Sequence, residues 1–466
     1  MTYEILSNAQ MAAADAKTIA GGTAGIDLMT TAGNAVAECI DEYYEIQNVL
    51  VLCGPGNNGG DGFIIAQCLK TRGWPVTLAC LTKQDALKGD AALAAQRWEG
   101  ETLPFDQVTV EDHLIIDAVF GTGFSRALPD DVINVFKQIE GNEIIAVDIP
   151  SGINGNTGAA DPNALRADIT VTFHRKKLGH VLYPGAQYCG HIITKDIGIT
   201  DDFEYSAIEN TPDLWIKDFP LKKADTHKYH YGHALIYGAP ELTGATRLAA
   251  TACARIGTGL VSVLSTPETA TIYRSALPAC ILVRDDLDYM DKKITARLYG
   301  SGGLPCTVDY SIDLPTVLDA DALSHLPEKL TPNYVLTPHE GEFERAFPDI
   351  DGSKIERAQK AAKQINAHIA LKGPDTIIAA PDGKTIINTN GSPHLATAGT
   401  GDALAGMICG LMAQNMPPLI ATGAAIWIHA ESANLFGAGL IADDLLEIIP
   451  DILNRITQIN TYNAQS

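Results

Sequence analysis

Short apolar runs of strand length alternate with helically spaced stretches along the whole chain. This alternation narrows the fold more than any other feature. A strand buried on both faces reads as a continuous apolar run, and parallel strands need a crossover between them. In the first half the runs are NVLVLC, PVTLACL, HLIIDAVF, EIIAVDIP, ADITVTF and HIITKDIGI, with FIIAQCLKTRG and DVINVFKQIEG as helices between. A second series holds HALIYG, LVSVLS, ACILVR, TVLDADAL, YVLTPHE, HIALKG and TIIAAP, and it ends in helices such as ALAGMICGLMAQ. A chain of 466 residues is too long for one core. The expectation is two α/β domains, residues 1–205 and 226–466. The acidic, proline-bearing stretch 206–225, weak in periodicity, reads as a linker.

The formal net charge of −23 argues against a general nucleic-acid binder, which needs a basic surface. It does not exclude an anionic small molecule, because backbone amides and helix N-termini bind phosphate without net positive charge. No apolar stretch reaches transmembrane length, and the N-terminus lacks the basic and apolar regions of a secretory signal. A cytoplasmic protein without a membrane partner is expected.

Functional residues of parallel sheets collect at the C-terminal ends of the strands. Here those ends read GPGNNGGDG, DAVFGTGFSRA and DIPSGINGNTG. The first spells GxGxxG, but Asn57, Asn58, Gly60 and Asp61 lengthen the loop, so a late helix start is expected. The next strand ends at Leu81-Thr82-Lys83, without the carboxylate that a dinucleotide-binding dehydrogenase sets on the ribose. Asp117 and Asp148 each close an apolar run, where a carboxylate needs a partner or caps a helix. Three such ends in succession favour a pocket over three caps.

These motifs, in this order and with YPGA and KDIGI after them, resemble the NAD(P)H-hydrate epimerase domain, the YjeF N-terminal family, over about residues 1–200. The resemblance implies a Rossmann-like three-layer α/β/α domain. It sets the hydrated dinucleotide against Asn57, Asn58, Gly59, Gly60 and Asp61, and against Gly121, Thr122, Gly123, Phe124, Ser125, Arg126 and Ala127. It also implies a potassium ion on Asn58, Asp117 and Ser151, an all-oxygen set that suits a hard cation. Asp148 matches the carboxylate near the reacting ring, a general acid/base. Lys177, in FHRKKLGH, matches a basic position and faces either a phosphate or solvent.

In the second half, ATAGTGDALAG places a small-residue loop before a helix, with Asp402 in the first turn. Loop amides and helix dipole can hold an anion there while Asp402 takes a proton from a hydroxyl being phosphorylated. LKGPDT brings Lys372 to a strand end, TPHEGEF brings His339, and LDADAL brings Asp319 and Asp321. Together with HKYHYGHALIYGAPELTGA they resemble the ADP/ATP-dependent NAD(P)H-hydrate dehydratase domain, which implies a ribokinase-like α/β/α fold. The resemblance sets the hydrate on Ala245, Gly302, His339 and Asp402. It sets the nucleotide, with Mg2+, on Lys372, Gly373, Pro374, Asp375, Thr376 and Gly401.

The chain departs from that family in HEGE for His-Pro-Gly-Glu, in GSGGL for GPGLG, and in a short spacer before LDAD. The three histidines of HKYHYGH, His227, His230 and His233, lack further ligands at zinc spacing, and metal binding there is not expected. The resemblance implies a repair enzyme that interconverts R- and S-hydrates of NADH and NADPH and dehydrates the S form. Fusion of both domains resembles the prokaryotic arrangement, which implies ADP as the nucleotide, and the family implies a homo-oligomer. A ribokinase-type small-molecule kinase fused to a nucleotide-binding domain is the alternative enzyme, and a nucleotide-sensing scaffold the non-catalytic one.

Overall fold

The computed structural model describes residues 3–108, 113–200, 202–222 and 225–463. The chain divides into two units, Met1–Ile208 and Glu209–Ser466.

Among the described residues of the first unit, β1 (Val49–Cys53), β2 (Val76–Cys80), β3 (Thr102–Pro104), β4 (Leu114–Ala118), β5 (Ile144–Val147), β6 (Ile169–Phe173) and β7 (His191–Lys195) form one sheet. Their order is β3-β2-β1-β4-β5-β6-β7, and every pairing is parallel. Successive side chains leave a strand on opposite faces, so β1 serves two cores. Val49, Val51 and Cys53 pack with residues of helices Asn8–Ala20, Gly25–Tyr43 and Asn57–Thr71. Leu50 and Leu52 pack with Phe105 and with Val132, Val135 and Phe136 of helix Asp130–Gln138. The result is the expected three-layer unit. The short β3 escaped the sequence reading because TLP carries no periodic signal.

The second unit is built on β8 (His233–Tyr237), β9 (Leu260–Leu264), β10 (Leu282–Arg284), β11 (Ala296–Tyr299), β12 (Thr316–Leu318), β13 (Tyr334–Leu336), β14 (His368–Leu371), β15 (Ile377–Ala379) and β16 (Thr385–Ile387). The order is β10-β9-β8-β11-β12-β13-β14-β15-β16, parallel except at the last two pairings. One face packs on helices Thr243–Arg255, Thr400–Ala413, Pro418–Phe436 and Ala442–Asn463. Strand β11 went unread because Arg297 interrupts its apolar run. That guanidinium is fully buried and donates to the carbonyls of Asp309 (3.1 Å) and Ile312 (2.8 Å).

The stretch 206–225 is not a free linker. Trp215, Ile216 and Phe219 are buried in the second unit's core, and Asn210 donates to Asn388 and to the Gly423 carbonyl. Short length and weak periodicity hid this packing. Lys223 and Ala224 lie outside the described residues. Among the described residues, no helix is long and apolar enough to cross a membrane.

Candidate active sites

Strands β1, β4 and β5 are neighbours, so GPGNNGGDG, DAVFGTGFSRA and DIPSG converge at one end of the first sheet. The chain reverses direction of build-up between β1 and β4, where open α/β sheets place their crevice. The helix after β1 begins at Asn57, earlier than expected, so NNGGD forms its opening turns. Small residues make this possible. A Cβ at Gly59 would lie 2.0 Å from the Gly54 carbonyl oxygen, and one at Gly62 2.7 Å from the Cys53 sulfur. The glycines let helix and strand approach closely.

A cleft of about 650 Å³ opens here, lined by Asn57, Asn58, Asp61, residues 121–126 and Asp148, and by Asp15, Ile19 and Met29 opposite. Of the residues expected at a ligand, Gly59 and Gly60 pack inward against Gly54 and Met29, and Ala127 lines a smaller adjoining hollow with Arg126 and Asp161. Phe124 stacks on Phe120 with ring centres 4.2 Å apart.

Asp148 adopts φ +65°, an uncommon conformation outside glycine that clusters at functional sites. Its amide donates to the Val171 carbonyl (2.8 Å) and its own carbonyl accepts from His180 Nε2 (2.7 Å). His180 Nδ1 accepts from the Lys177 amide, so the ring is neutral, and burial pushes it down to about 4. The Asp148 carboxylate accepts from Lys177 Nζ (2.8 Å), Thr172 Oγ1 (3.0 Å) and the Thr122 amide (3.3 Å). Burial pushes this carboxyl up, but the Lys177 ammonium and its neighbours outweigh it and hold Asp148 below the usual carboxylate range.

Neither sequence option for Lys177 holds. Its side chain is 1% exposed and lies between Asp148, Thr172 and the Phe173 carbonyl. Pairing of Lys176 and Lys177 with Ile5 and Leu6 turns this end of the basic run inward. Nothing local in FHRKKLGH distinguishes Lys177 from a solvated lysine.

Asp117 is fully buried at the end of β4. It accepts from Ser151 Oγ (2.6 Å), the Ser151 amide (2.7 Å) and the Val119 amide (3.2 Å). Burial raises it to about 6 despite these bonds. Asn58 is buried, with no partner for Nδ2 among the described residues, and it flanks Gly121 beside Asp148. The Asp117 carboxylate, the Ser151 hydroxyl and the Phe120 carbonyl thus meet in the interior, with buried Asn58 beside the following Gly121. This all-oxygen donor set fits a hard monovalent or divalent cation.

In the second unit, helix Thr400–Ala413 starts behind Gly399, whose φ of +90° suits glycine. Thr400 Oγ1 donates to Leu395 and Thr397 carbonyls, and buried His429 donates through Nε2 to the Thr400 carbonyl (2.9 Å). Burial pushes His429 down to about 4, which keeps it a neutral donor. Asp402, in the first turn, is raised to about 6, first by burial and then by the charge of Asp319, with Lys372 opposing. Lys372 Nζ bonds Asp319 at 3.2 Å and lies 3.9 Å from Glu342. It also stands 3.5 Å from where a Gly401 side chain would begin. Asp319 further accepts from Thr337 Oγ1 (2.7 Å).

The remaining expected residues join this cluster to different degrees. Gly302, φ +81°, sits against Ala245 and Leu242, and Gly300 and Gly303 share the left-handed geometry, so GSGGL still closes a tight turn. His339 caps helix Glu340–Ala346: its amide donates to Glu342 and its Nδ1 accepts from the Glu342 amide. Glu340, where the family has proline, pairs with Arg357. Asp375 is buried in an ion pair with Lys354, and Thr376 Oγ1 donates to the Gly373 carbonyl (2.8 Å). Residues 372–376 therefore form a braced turn, with Gly373 and Pro374 exposed and Asp375 and Thr376 buried. His233 bonds Ser262 (2.8 Å) inside the sheet, while His227 and His230 stack on each other. Sequence reasoning singled out Lys177 without its partner and missed His180 and His429, because a lone basic residue carries no spacing signal.

Two family models match in the order of the two sites. One, described as YjeF-related protein N-terminus, covers residues 25–179; the other, described as NAD(P)H-hydrate dehydratase, covers 233–452. The chain is 35% identical to a bifunctional NAD(P)H-hydrate repair enzyme of Moorella thermoacetica, over 93% of each chain. It is 32% identical to the enzyme of that name from Coxiella burnetii, over 97% of this chain and 99% of that one. Among solved structures it is similar to an ADP/ATP-dependent NAD(P)H-hydrate dehydratase of Bacillus subtilis, at 30% identity, 53% coverage of this chain, 98% of that one and a TM-score of 0.48. On its near-full-length match to the two bifunctional enzymes, the chain belongs to the family of bifunctional NAD(P)H-hydrate repair enzymes.

Proposed function

We propose that the first unit interconverts the R and S hydrates of NADH and NADPH, and that the second dehydrates the S form with ADP. The observation that carries this reading is the presence, in each matched unit, of a carboxylate beside a lysine at the strand ends: Asp148 with Lys177, and Asp402 near Lys372. A binding module has no need of a base in both units.

In the first unit Asn57, Asn58, Asp61 and residues 121–127 hold the dinucleotide, and Asp148 moves the proton that inversion requires. Asn58, Asp117 and Ser151 hold a potassium ion, which neutralises the buried Asp117 and braces the GTGF and DIPSG segments. Replacing potassium by choline at equal ionic strength should lower the first unit's melting point. The loss at saturation is on the order of 2–3 kcal/mol. Asp117→Asn should remove the potassium response, and a response retained by that variant would remove the site.

In the second unit Ala245, Gly302, His339 and Asp402 hold the S hydrate. Residues 372–376 and Gly401 hold the nucleotide, taken as its Mg2+ complex. Asp402 accepts the hydroxyl proton as the terminal phosphoryl group of ADP transfers to that oxygen. Phosphate then leaves with the C–O electron pair, the neighbouring carbon loses a proton, and the ring double bond returns. AMP and phosphate are the other products. Phosphate departs far more readily than hydroxide, which is the physical reason to spend a nucleotide.

A base raised to about 6 must be ionised to act, so turnover is present above that value and lost as pH falls through it. The kcat/KM of S-hydrate dehydration should fall about tenfold per pH unit below the midpoint. A flat profile down to pH 5 would remove Asp402 as the base. The whole reading is tested by supplying mixed R and S NADH hydrates with ADP or ATP and following reduced-nicotinamide absorbance. Full recovery is expected, and no recovery with either nucleotide sinks it. Cytoplasmic location and homo-oligomeric assembly accompany the proposal; cell fractionation and a sedimentation measurement check them.

A further inference from the structure

The first cleft contains more carboxyls than its proposed chemistry has used. Asp15, Asp61, Asp90 and Asp148 all line it, and Lys177 is already bonded to Asp148. Asp61 projects from the second turn of helix Asn57–Thr71. It has no hydrogen bond or ion pair among the described residues. It is partly open to the cleft. An unpartnered carboxyl that shares a cavity with three others cannot ionise as freely as the one that owns the lysine. The two groups are therefore in opposite states: Asp148 charged, Asp61 carrying its proton.

We propose that Asp61 is the general acid of the epimerase, paired with Asp148 as base, and that Lys177 is the positioning residue which assigns the two roles. This rests on the epimerase reading above. The hydrate carries its hydroxyl on the ring carbon bonded to the ring nitrogen. Asp148 takes the hydroxyl proton, the O–H electron pair becomes the carbonyl π bond, and the C–N pair returns to nitrogen. The nitrogen then takes the Asp61 proton. Rotation about the adjacent C–C bond turns the aldehyde, and the reverse transfers close the ring on its other face. Protons and electrons balance, and each carboxyl ends as it began.

Environments that drive two carboxyls apart are how one site performs acid and base work at one pH. Burial, then the charges of Asp148 and Asp15, push Asp61 well above the usual carboxylate range, with Lys177 opposing. Asp15 is itself raised, first by burial, and the Cys53 thiol beneath Asp61 is pushed up by burial as well. Neutral His180 adds no charge to this balance.

The test compares R-to-S conversion by the unmodified chain, Asp61→Asn and Asp61→Glu, scoring epimers by chromatography. Asparagine keeps size and hydrogen bonding but cannot give up a proton. A 10²- to 10⁴-fold fall in kcat with KM changed less than about threefold is expected, with partial recovery in Asp61→Glu. The alkaline limb of the kcat profile should disappear in Asp61→Asn. Interconversion that survives Asp61→Asn, or a loss confined to KM, overturns the acid role alone. No interconversion by the unmodified chain overturns the epimerase assignment and this inference together. Equal melting points confirm that the asparagine variant folds; if it does not, a kcat profile of the unmodified chain without an alkaline limb overturns the inference.

Discussion

Asp402→Asn is expected to abolish recovery of reduced nicotinamide from both hydrate epimers, with either nucleotide. The fall in kcat should be at least 10³-fold, the upper part of what a positioned base contributes. The reason is local. Asp402 is the carboxylate in the first turn behind the Gly399–Gly401 loop, where amides and helix dipole favour an anion. Asparagine keeps the shape and cannot accept the hydroxyl proton. The same variant should fold at least as well as its parent. A carboxyl whose folded pKa lies above its unfolded one holds a proton more tightly when folded. Its contribution to stability is present at low pH and is lost as pH rises from the unfolded value of 3.8 through about 6. Near pH 7 the ionised group therefore opposes folding, and its removal should raise stability by on the order of 1–3 kcal/mol. Loss of turnover with an unchanged or higher melting point is the expected pair of results. Turnover within tenfold of the parent would remove Asp402 from the chemistry.

Asp148→Asn should produce the second large effect and a different pattern. Recovery from an R/S mixture should stop once the S epimer is consumed, while added S hydrate is still dehydrated at the parent rate. Epimerisation itself should fall 10²- to 10⁴-fold. Asparagine tolerates the left-handed backbone at this position, so the turn survives. The cost falls on Lys177, whose ammonium is left buried without its counter-charge, about 3–5 kcal/mol for a broken buried pair. Asp148→Asn with Lys177→Met should regain most of that stability and none of the epimerisation. Chemistry and folding are thereby separated. An Asp148→Asn variant that recovers both epimers would end the division of labour between the units.

The helix after β1 illustrates how local reading reaches its limit. GPGNNGGDG marks a glycine turn between strand and helix on any reading, yet the lengthened loop was an error. Asn57 starts the helix because Gly59 and Gly62 let it lie against Gly54 and Cys53, an approach visible only with both elements in place. The stretch 206–225 failed for the same reason. A tryptophan in an acidic, aperiodic segment gains its meaning from the core that receives it.

Periodicity and glycine placement are properties of neighbouring residues, so the order of strands and helices and the two clusters of strand-end motifs could be read directly from the chain. Charge state and pairing are not. Lys177 lies 29 residues from Asp148, and Lys372 lies 53 from Asp319. Whether such a lysine is solvated or locked to a carboxylate depends on which strand ends the fold brings together and how much water it removes. A carboxylate's work as base or acid follows from that desolvated neighbourhood, which exists only once the distant segments have met.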